Sequence, residues 1–224
     1  MAVRRFDLGK ISWVGCLLTA LMAVPVWGPI AHAEESSSGS LETLVPDYAV
    51  GFAAVHDVAD FREHVRSTQL GQLLQDPAMK PFLDDLRSQI RDRIAGVREK
   101  LGISLEDLEG IPSGEVGVAT LLPPAGKGAV AMLVQVAGNE ERVESLLEKV
   151  AEGLAERGAT SSTSEVAGRT VHVFDLPENE RVPGKRQAVY CLDSGVLIVS
   201  DSPAVVEDIL ARIDDDKPSL DEDA

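Results

Sequence analysis

Two histidines and an aspartate recur at four-residue intervals and form the one constellation in the chain that could bind a metal ion. They are His56, Asp60 and His64. Residues four apart share one side of an α-helix, and two imidazoles with one carboxylate are suitable ligands for zinc. However, His56 falls where a predicted strand meets a predicted helix, the His-Glu-x-x-His pattern is absent and no fourth ligand is evident. The same residues also fit the solvated face of an ordinary amphipathic helix, so both interpretations stay open.

The other candidates for chemistry have simpler structural explanations. Residues 124–128 resemble a phosphate-binding loop, but Lys127 is followed by glycine and then by a predicted strand, whereas a phosphate site needs a helix there. His172 alternates with valines, as is typical of a histidine on a strand face. Cys191 lies in an apolar strand-like run and is predicted to be a buried small side chain. We therefore predict no catalytic residue, and no cofactor other than the zinc that His56, Asp60 and His64 could bind.

The N-terminal residues are typical of a cleavable secretory signal peptide. Basic residues come first (Arg4, Arg5 and Lys10), residues 11–27 are almost free of charge, and residues 31–33 read Ala-His-Ala. A membrane anchor is the alternative, but the apolar run is shorter than the ~20 residues that span a bilayer. We predict that residues 1–33 are removed and that the protein is exported, to the periplasm or beyond the cell, without a stable membrane anchor.

The large negative charge of the chain disfavours negatively charged partners. The formal net charge is −16, and removing the signal segment, with three basic residues against Asp7, takes it to about −18. Such a surface repels nucleic-acid phosphates and anionic membranes. Both tryptophans and Cys16 leave with the signal peptide, so the remaining Cys191 cannot form an intramolecular disulfide. The expected partner is an unidentified protein or ligand of the cell envelope, and the oligomeric state stays open.

The elements that must position these residues follow from hydrophobic periodicity. Strands are predicted where apolar residues alternate or form short runs, and helices where they recur every three or four residues. The predicted strands are 48–55, 115–122, 129–136, 164–166, 170–174, 187–192 and 196–200; the predicted helices are 57–66, 79–101, a short one from 104, 139–157 and 203–213. Consecutive strands joined by short turns predict an α+β fold: a mainly antiparallel sheet, amphipathic helices packed on one face, and a helical N-terminal segment.

The composition also divides the chain after the signal peptide into three parts. Residues 34–45 are rich in serine and glutamate and are predicted to be a flexible leader. Residues 46–213 form the predicted α+β domain. Residues 214–224 are predicted to be an acidic, solvated tail.

Several segments resemble the N-terminal part of large exported bacterial proteins of unknown function, of a type found in planctomycetes. They are Leu-Val-Pro-Asp-Tyr-Ala-Val-Gly-Phe at 44–52, the stretch 67–82 with its Asp-Pro-Ala-Met-Lys-Pro-Phe ending, Leu-Gly-Ile-Ser-Leu-Glu-Asp-Leu at 101–108, and Gly-Glu-Val at 114–116. The resemblance covers about residues 44–213 and rests on caps, turns and helix seams. It implies an envelope setting and no particular activity. Members of this group are longer, which leaves open that the domain is incomplete at its C-terminal end.

The function expected from the sequence is a non-catalytic, exported domain with a binding or scaffolding role in the cell envelope. The alternative is a metal-assisted hydrolase that uses His56, Asp60 and His64. A truncated product without an independent role is a third interpretation. Detection of a bound divalent metal would favour the hydrolase over the non-catalytic domain.

Overall fold

A computed structural model describes residues 39–86, 88–89, 103, 105–108, 110–124, 127–178 and 185–214. The predicted signal peptide, residues 34–38 of the predicted leader and residues 215–224 of the predicted tail lie outside the described residues. So does most of the predicted helix 79–101, of which residues 80–86 and 88–89 are described and helical.

Seven strands of the described chain form one antiparallel sheet, in the spatial order β1-β2-β3-β7-β6-β5-β4. Every neighbouring pair is antiparallel. The strands are β1 (Ala49–Val55), β2 (Val116–Leu121), β3 (Ala129–Gln135), β4 (Thr160–Val166), β5 (Arg169–Leu176), β6 (Arg186–Asp193) and β7 (Val196–Ser200). The helices are α1 (Val58–Ser67), α2 (Gln69–Gln75), α3 (Leu105–Leu108), α4 (Glu140–Ala155) and α5 (Pro203–Ile213), with 3₁₀ turns at Leu41–Leu44 and Pro77–Met79. The predicted α+β fold with a mainly antiparallel sheet is confirmed.

The helices pack on both faces of the sheet, so the prediction that they share one face is wrong. Met132 and Val134 of β3 lie in a core with the apolar side of α4, whereas Leu133 between them lies in a second core with Ile209 and Leu210 of α5. Successive strand residues point to opposite faces, so these are two separate cores. The central strands are apolar at nearly every position, which is the pattern of a sheet covered on both sides.

The folded unit begins before residue 46, and the prediction of a flexible leader is wrong for residues 41–45. The side chains of Leu41 and Val45 are completely buried in the core that α5 covers. Ser40 caps the 3₁₀ turn by accepting a hydrogen bond from the amide of Glu42. The prediction failed because the stretch is mostly polar, and its two buried apolar residues, Leu41 and Val45, do not form a recognisable pattern.

Strand β4 is longer than predicted and begins at Thr160, because its polar residues pair with β5 over seven consecutive positions. Tight two-residue turns join β4 to β5 and β6 to β7. Ala167 and Gly168 have φ angles of 51° and 75°, and Ser194 and Gly195 have φ angles of 50° and 74°. Two consecutive left-handed residues are typical of the type I′ hairpin turn.

The end of α5 is fastened to both hairpins. Arg169 donates two hydrogen bonds to Asp214, of 2.7 and 2.8 Å, and one of 2.7 Å to Asp193. The hydrogen bonds from Arg169 hold the pKa of the Asp214 carboxyl below its usual range. Asp214 is therefore part of the folded unit, although the sequence predicted that it begins the tail.

Candidate functional site

The structure separates the three predicted metal ligands into a pair and a single residue. Helix α1 begins at Val58, with Asp57 as the cap that accepts a hydrogen bond from the amide of Asp60. Because His56 precedes the helix, its imidazole does not share the helical face. Its Nδ1 lies 3.2 Å from Oε1 of Glu115, while the side chain is 79% exposed.

Asp60 and His64 do come together, on the exposed side of α1. Nδ1 of His64 lies 3.1 Å from Oδ1 of Asp60 and 3.0 Å from the backbone oxygen of the same residue. That nitrogen is therefore occupied by its own helix. Among the described residues, no three His, Cys, Asp or Glu side chains lie close enough together to hold a metal ion. The zinc site at His56, Asp60 and His64 stays a prediction that titration of the purified protein with zinc would test.

A buried polar cluster that the sequence did not reveal receives the N-terminal residues of the folded unit. It is formed by Glu115 and Gln135, which are 4% and 6% exposed. Oε2 of Glu115 accepts a hydrogen bond of 2.9 Å from the amide of Leu41. Gln135 accepts a hydrogen bond from the amide of Glu115 and donates one to the carbonyl oxygen of Gly39. We call this arrangement the Glu115–Gln135 cluster; it holds residues 39–41 against the start of β2 and the end of β3.

The contact between Glu115 and His56 has the carboxylate–imidazole form that orients histidine in many enzymes. Oε1 of Glu115 lies near Nδ1 of His56, yet the contact is not aligned as a hydrogen bond. In the described part of the chain, no hydroxyl or thiol forms a hydrogen bond with this imidazole. A nucleophile within hydrogen-bond reach of the base is what such chemistry requires. The contact thus places a buried carboxylate beside an exposed imidazole.

His172 lies on a strand face, as predicted, and packs against Tyr190 of the neighbouring strand. The two rings are nearly parallel with centroids 4.7 Å apart, and Phe174 also stacks with Tyr190, at a centroid distance of 5.9 Å. Burial lowers the pKa of His172 and raises that of Tyr190. The three rings extend the core beneath α4 toward β4, which is a packing role.

Cys191 is completely buried in the core beneath α5. Burial raises the pKa of its thiol to about 11, so that on the order of one thiol in a thousand is ionised at pH 8. We expect the native protein to react with a thiol reagent at least ~100-fold more slowly than the urea-unfolded chain, because only an accessible thiolate reacts. The measurement is the rate of colour release from 5,5′-dithiobis(2-nitrobenzoate) by a chain that begins at Glu34. Equal rates in buffer and urea would show an accessible thiol and reopen a catalytic role.

Large apolar side chains are exposed along the N-terminal helical segment, which we define as residues 58–86 and 88–89. Five large apolar side chains of its described residues are between 39% and 60% exposed: Phe61, Leu70, Leu73, Phe82 and Leu86. Helices α1 and α2 pack on each other, and the amide of Gly71 approaches the hydroxyl of the capping residue Thr68 at 3.0 Å. A side chain at residue 71 would collide with the backbone of Val65 and Arg66. The close approach of the two helices fixes the position of α2 and of its exposed Leu70 and Leu73.

In the described parts of residues 39–214, no helix has both the length and the apolar composition that a membrane span needs.

The fold and its surfaces define an antiparallel α+β protein, and comparison with known proteins adds no relative to this description. No protein-family model matches the chain, and no significant match occurs among the curated proteins or the solved structures. The resemblance to exported planctomycete-type proteins therefore stays a prediction from the sequence motifs.

Proposed function

We propose that this is a non-catalytic, exported protein with a binding or scaffolding role in the cell envelope, and that the N-terminal helical segment is its contact surface. The observation that carries the proposal is the exposure of Phe61, Leu70, Leu73, Phe82 and Leu86 on that segment. Single exposed apolar side chains are ordinary on protein surfaces, but a concentration of large ones is typical of interaction sites.

The energetics favour a protein partner for this surface. Full burial of a fully exposed large apolar side chain contributes about 1.5–3 kcal/mol. These side chains are 39–60% exposed, so covering one of them contributes roughly half of that, and covering several together favours association with a partner. A helix that presents residues at three- and four-residue spacing fits an apolar groove on another protein. The net charge of −16 disfavours nucleic acid and anionic lipid as the partner.

The envelope setting of the proposal rests on the sequence of residues 1–33, which has the basic, apolar and Ala-x-Ala parts of a signal peptide. The resemblance of residues 44–213 to exported planctomycete-type proteins supports the same setting. A metal-assisted hydrolase is the less supported alternative, because His56 contacts Glu115 while His64 contacts Asp60.

The proposal is tested by placing a photo-crosslinking amino acid at Leu70 or Leu73 and irradiating cells of the native host. The matched control is Leu122, a leucine that is 57% exposed outside the helical segment. We expect one discrete adduct from Leu70 and Leu73 in the envelope fraction and none from Leu122. We further expect Leu70→Asp, but not Leu122→Asp, to weaken binding of the identified partner to the purified protein at least ~10-fold, since a charge is then buried in an apolar contact.

Two results would overturn this proposal. The first is adduct formation that is equal at Leu70 and Leu122, which would indicate non-specific contact. The second is recovery of the protein from the cytoplasm with residues 1–33 intact, which would remove the envelope setting.

A further inference from the structure

Strand β4 is an open and unusually regular sheet edge. It pairs with β5 through seven consecutive residues, from Thr160 opposite Asp175 to Val166 opposite Arg169, without an irregularity. Its first six residues are exposed on both faces of the sheet. No strand of the described chain pairs with its outer side. Every second residue of such a strand directs its N–H and C=O groups outward, where they can pair with another strand.

The opposite edge of the sheet differs in a way that matters for association. Strand β1 carries a break in register between Ala49 and Gly51, and a bulge twists an edge away from further pairing. Strand β4 has no bulge, no proline and no lysine, which are the usual devices that protect an edge. Its sequence, Thr-Ser-Ser-Thr-Ser-Glu-Val, carries one charge, on Glu165. Of the two edge strands, β4 is therefore the less protected against pairing with a strand of another chain.

We propose that β4 pairs with β4 of a second copy of this chain, antiparallel and about a two-fold axis through Thr163, so that two sheets become one. A two-fold axis perpendicular to the sheet places residues of the same face opposite each other, and Thr163 is the central residue of Thr160–Val166. This register brings Thr163 opposite itself, Ser162 opposite Ser164 and Ser161 opposite Glu165 of the second copy. A closed two-fold contact of this kind uses the same surface on both chains.

We infer that the partner of β4 is a second copy of the same strand, because the residues of β4 are complementary to themselves in this register. In this register the only charged residue of the strand, Glu165, meets the hydroxyl of Ser161, which can donate a hydrogen bond to it. No like charges lie directly opposite, and the hydroxyl pairs Thr163–Thr163 and Ser162–Ser164 are favourable cross-strand neighbours. The two chains would thus avoid close repulsion at the contact although each carries a net charge of about −18 once residues 1–33 are removed.

The contact is small, so the dimer is weak and depends on concentration. Pairing of two seven-residue strands buries less than the roughly 1,200 Å² that stable complexes bury. We expect a dissociation constant in the micromolar range or above, as for transient assemblies. The N-terminal helical segment follows β1, the strand at the opposite edge of the sheet from β4.

The first test is sedimentation velocity of a chain that begins at Glu34, which keeps every described residue. Thr163→Lys places two lysines opposite each other, and we expect dimerisation to weaken about fivefold. Ser161→Lys places each new lysine opposite Glu165 of the other chain, and we expect dimerisation to strengthen by a similar factor. Both sites are exposed, so the thermal melting curves of the monomers should agree. Opposite effects of one substitution at two neighbouring sites identify this register.

The second test is cysteine crosslinking in the same chain, where the native Cys191 is buried. Opposed residues of antiparallel strands have Cα atoms about 4.5–5.5 Å apart, within the range of a disulfide. We expect Thr163→Cys to form a covalent dimer on mild oxidation, whereas Ser164→Cys, which faces Ser162, forms at least ~10-fold less. A chain that is monomeric at millimolar concentration would overturn the proposal. A dimer whose dissociation constant does not change with either lysine substitution would overturn it too. So would a dimer that forms only after residues 215–224 are removed, because that result would show that this segment occupies the β4 edge in the intact chain.

Discussion

Replacing Leu41 by alanine is expected to lower the free energy of unfolding by about 2–5 kcal/mol. Leu41 lies in a stretch of polar composition, yet its side chain is 0% exposed and packs with Val45 in the core that α5 covers. Removing three buried carbon atoms loses their transfer free energy and leaves a cavity that the sheet cannot fill. Equilibrium unfolding in urea, followed by circular dichroism, measures the change.

Leu70→Ala is the matched control, because Leu70 is the same residue type but 60% exposed. We expect that substitution to change the free energy of unfolding by no more than about 0.5 kcal/mol. A similar small effect at Leu41 would show that residues 41–45 do not contribute to the core. The folded unit would then begin near residue 46, as the composition alone indicated.

Much of the fold could be predicted because its central strands and long helices have strong local patterns. Helix α4 has apolar residues at steps of three and four from Val143 to Leu154, and all of them face one core. Strands β6 and β7 are short apolar runs on either side of a turn that contains glycine. In these segments, local propensity and tertiary packing favour the same structure.

The parts that sequence reasoning missed depend on pairing and packing that local residue patterns do not show. Residues 160–163 of β4 are all polar and lie outside the predicted strand 164–166, and they join the sheet because β5 offers them backbone partners. The two-sided sheet was also missed, since the pattern of α5 shows which of its residues are buried but not which face of the sheet covers them. Apolar residues at nearly every position of β7 were the available signal for burial on both faces.

The candidate site illustrates the same limit. The four-residue spacing of His56, Asp60 and His64 correctly brought Asp60 and His64 together, because both belong to α1. His56 does not share that helical face, because α1 begins at Val58, two residues after it, which agrees with its predicted place at a strand–helix junction. Glu115, the actual partner of His56, lies in a different part of the sequence, and no local pattern connects the two residues.

Glu115→Ala is expected to lower the free energy of unfolding by about 2–3 kcal/mol and to loosen residues 39–41. The substitution removes the acceptor of the buried Leu41 amide, and an unsatisfied buried donor costs about 1–3 kcal/mol. Amide hydrogen exchange provides the second readout: the amide of Leu41 should exchange at least ~10-fold faster in the variant, while amides of β7 follow only the global change.

The control that separates the hydrogen bond from the charge is Glu115→Gln, which keeps an oxygen acceptor in the same position. We expect it to change the free energy of unfolding by less than about 1 kcal/mol, because a buried carboxylate gains little from its charge when its nearest ionisable partner, His56, is mostly exposed. His56→Ala should have an equally small effect. If Glu115→Gln were as destabilising as Glu115→Ala, the stabilising contact at this end of the sheet would be the ion pair with His56 and not the hydrogen bond to Leu41. The Glu115–His56 contact would then become a candidate functional pair.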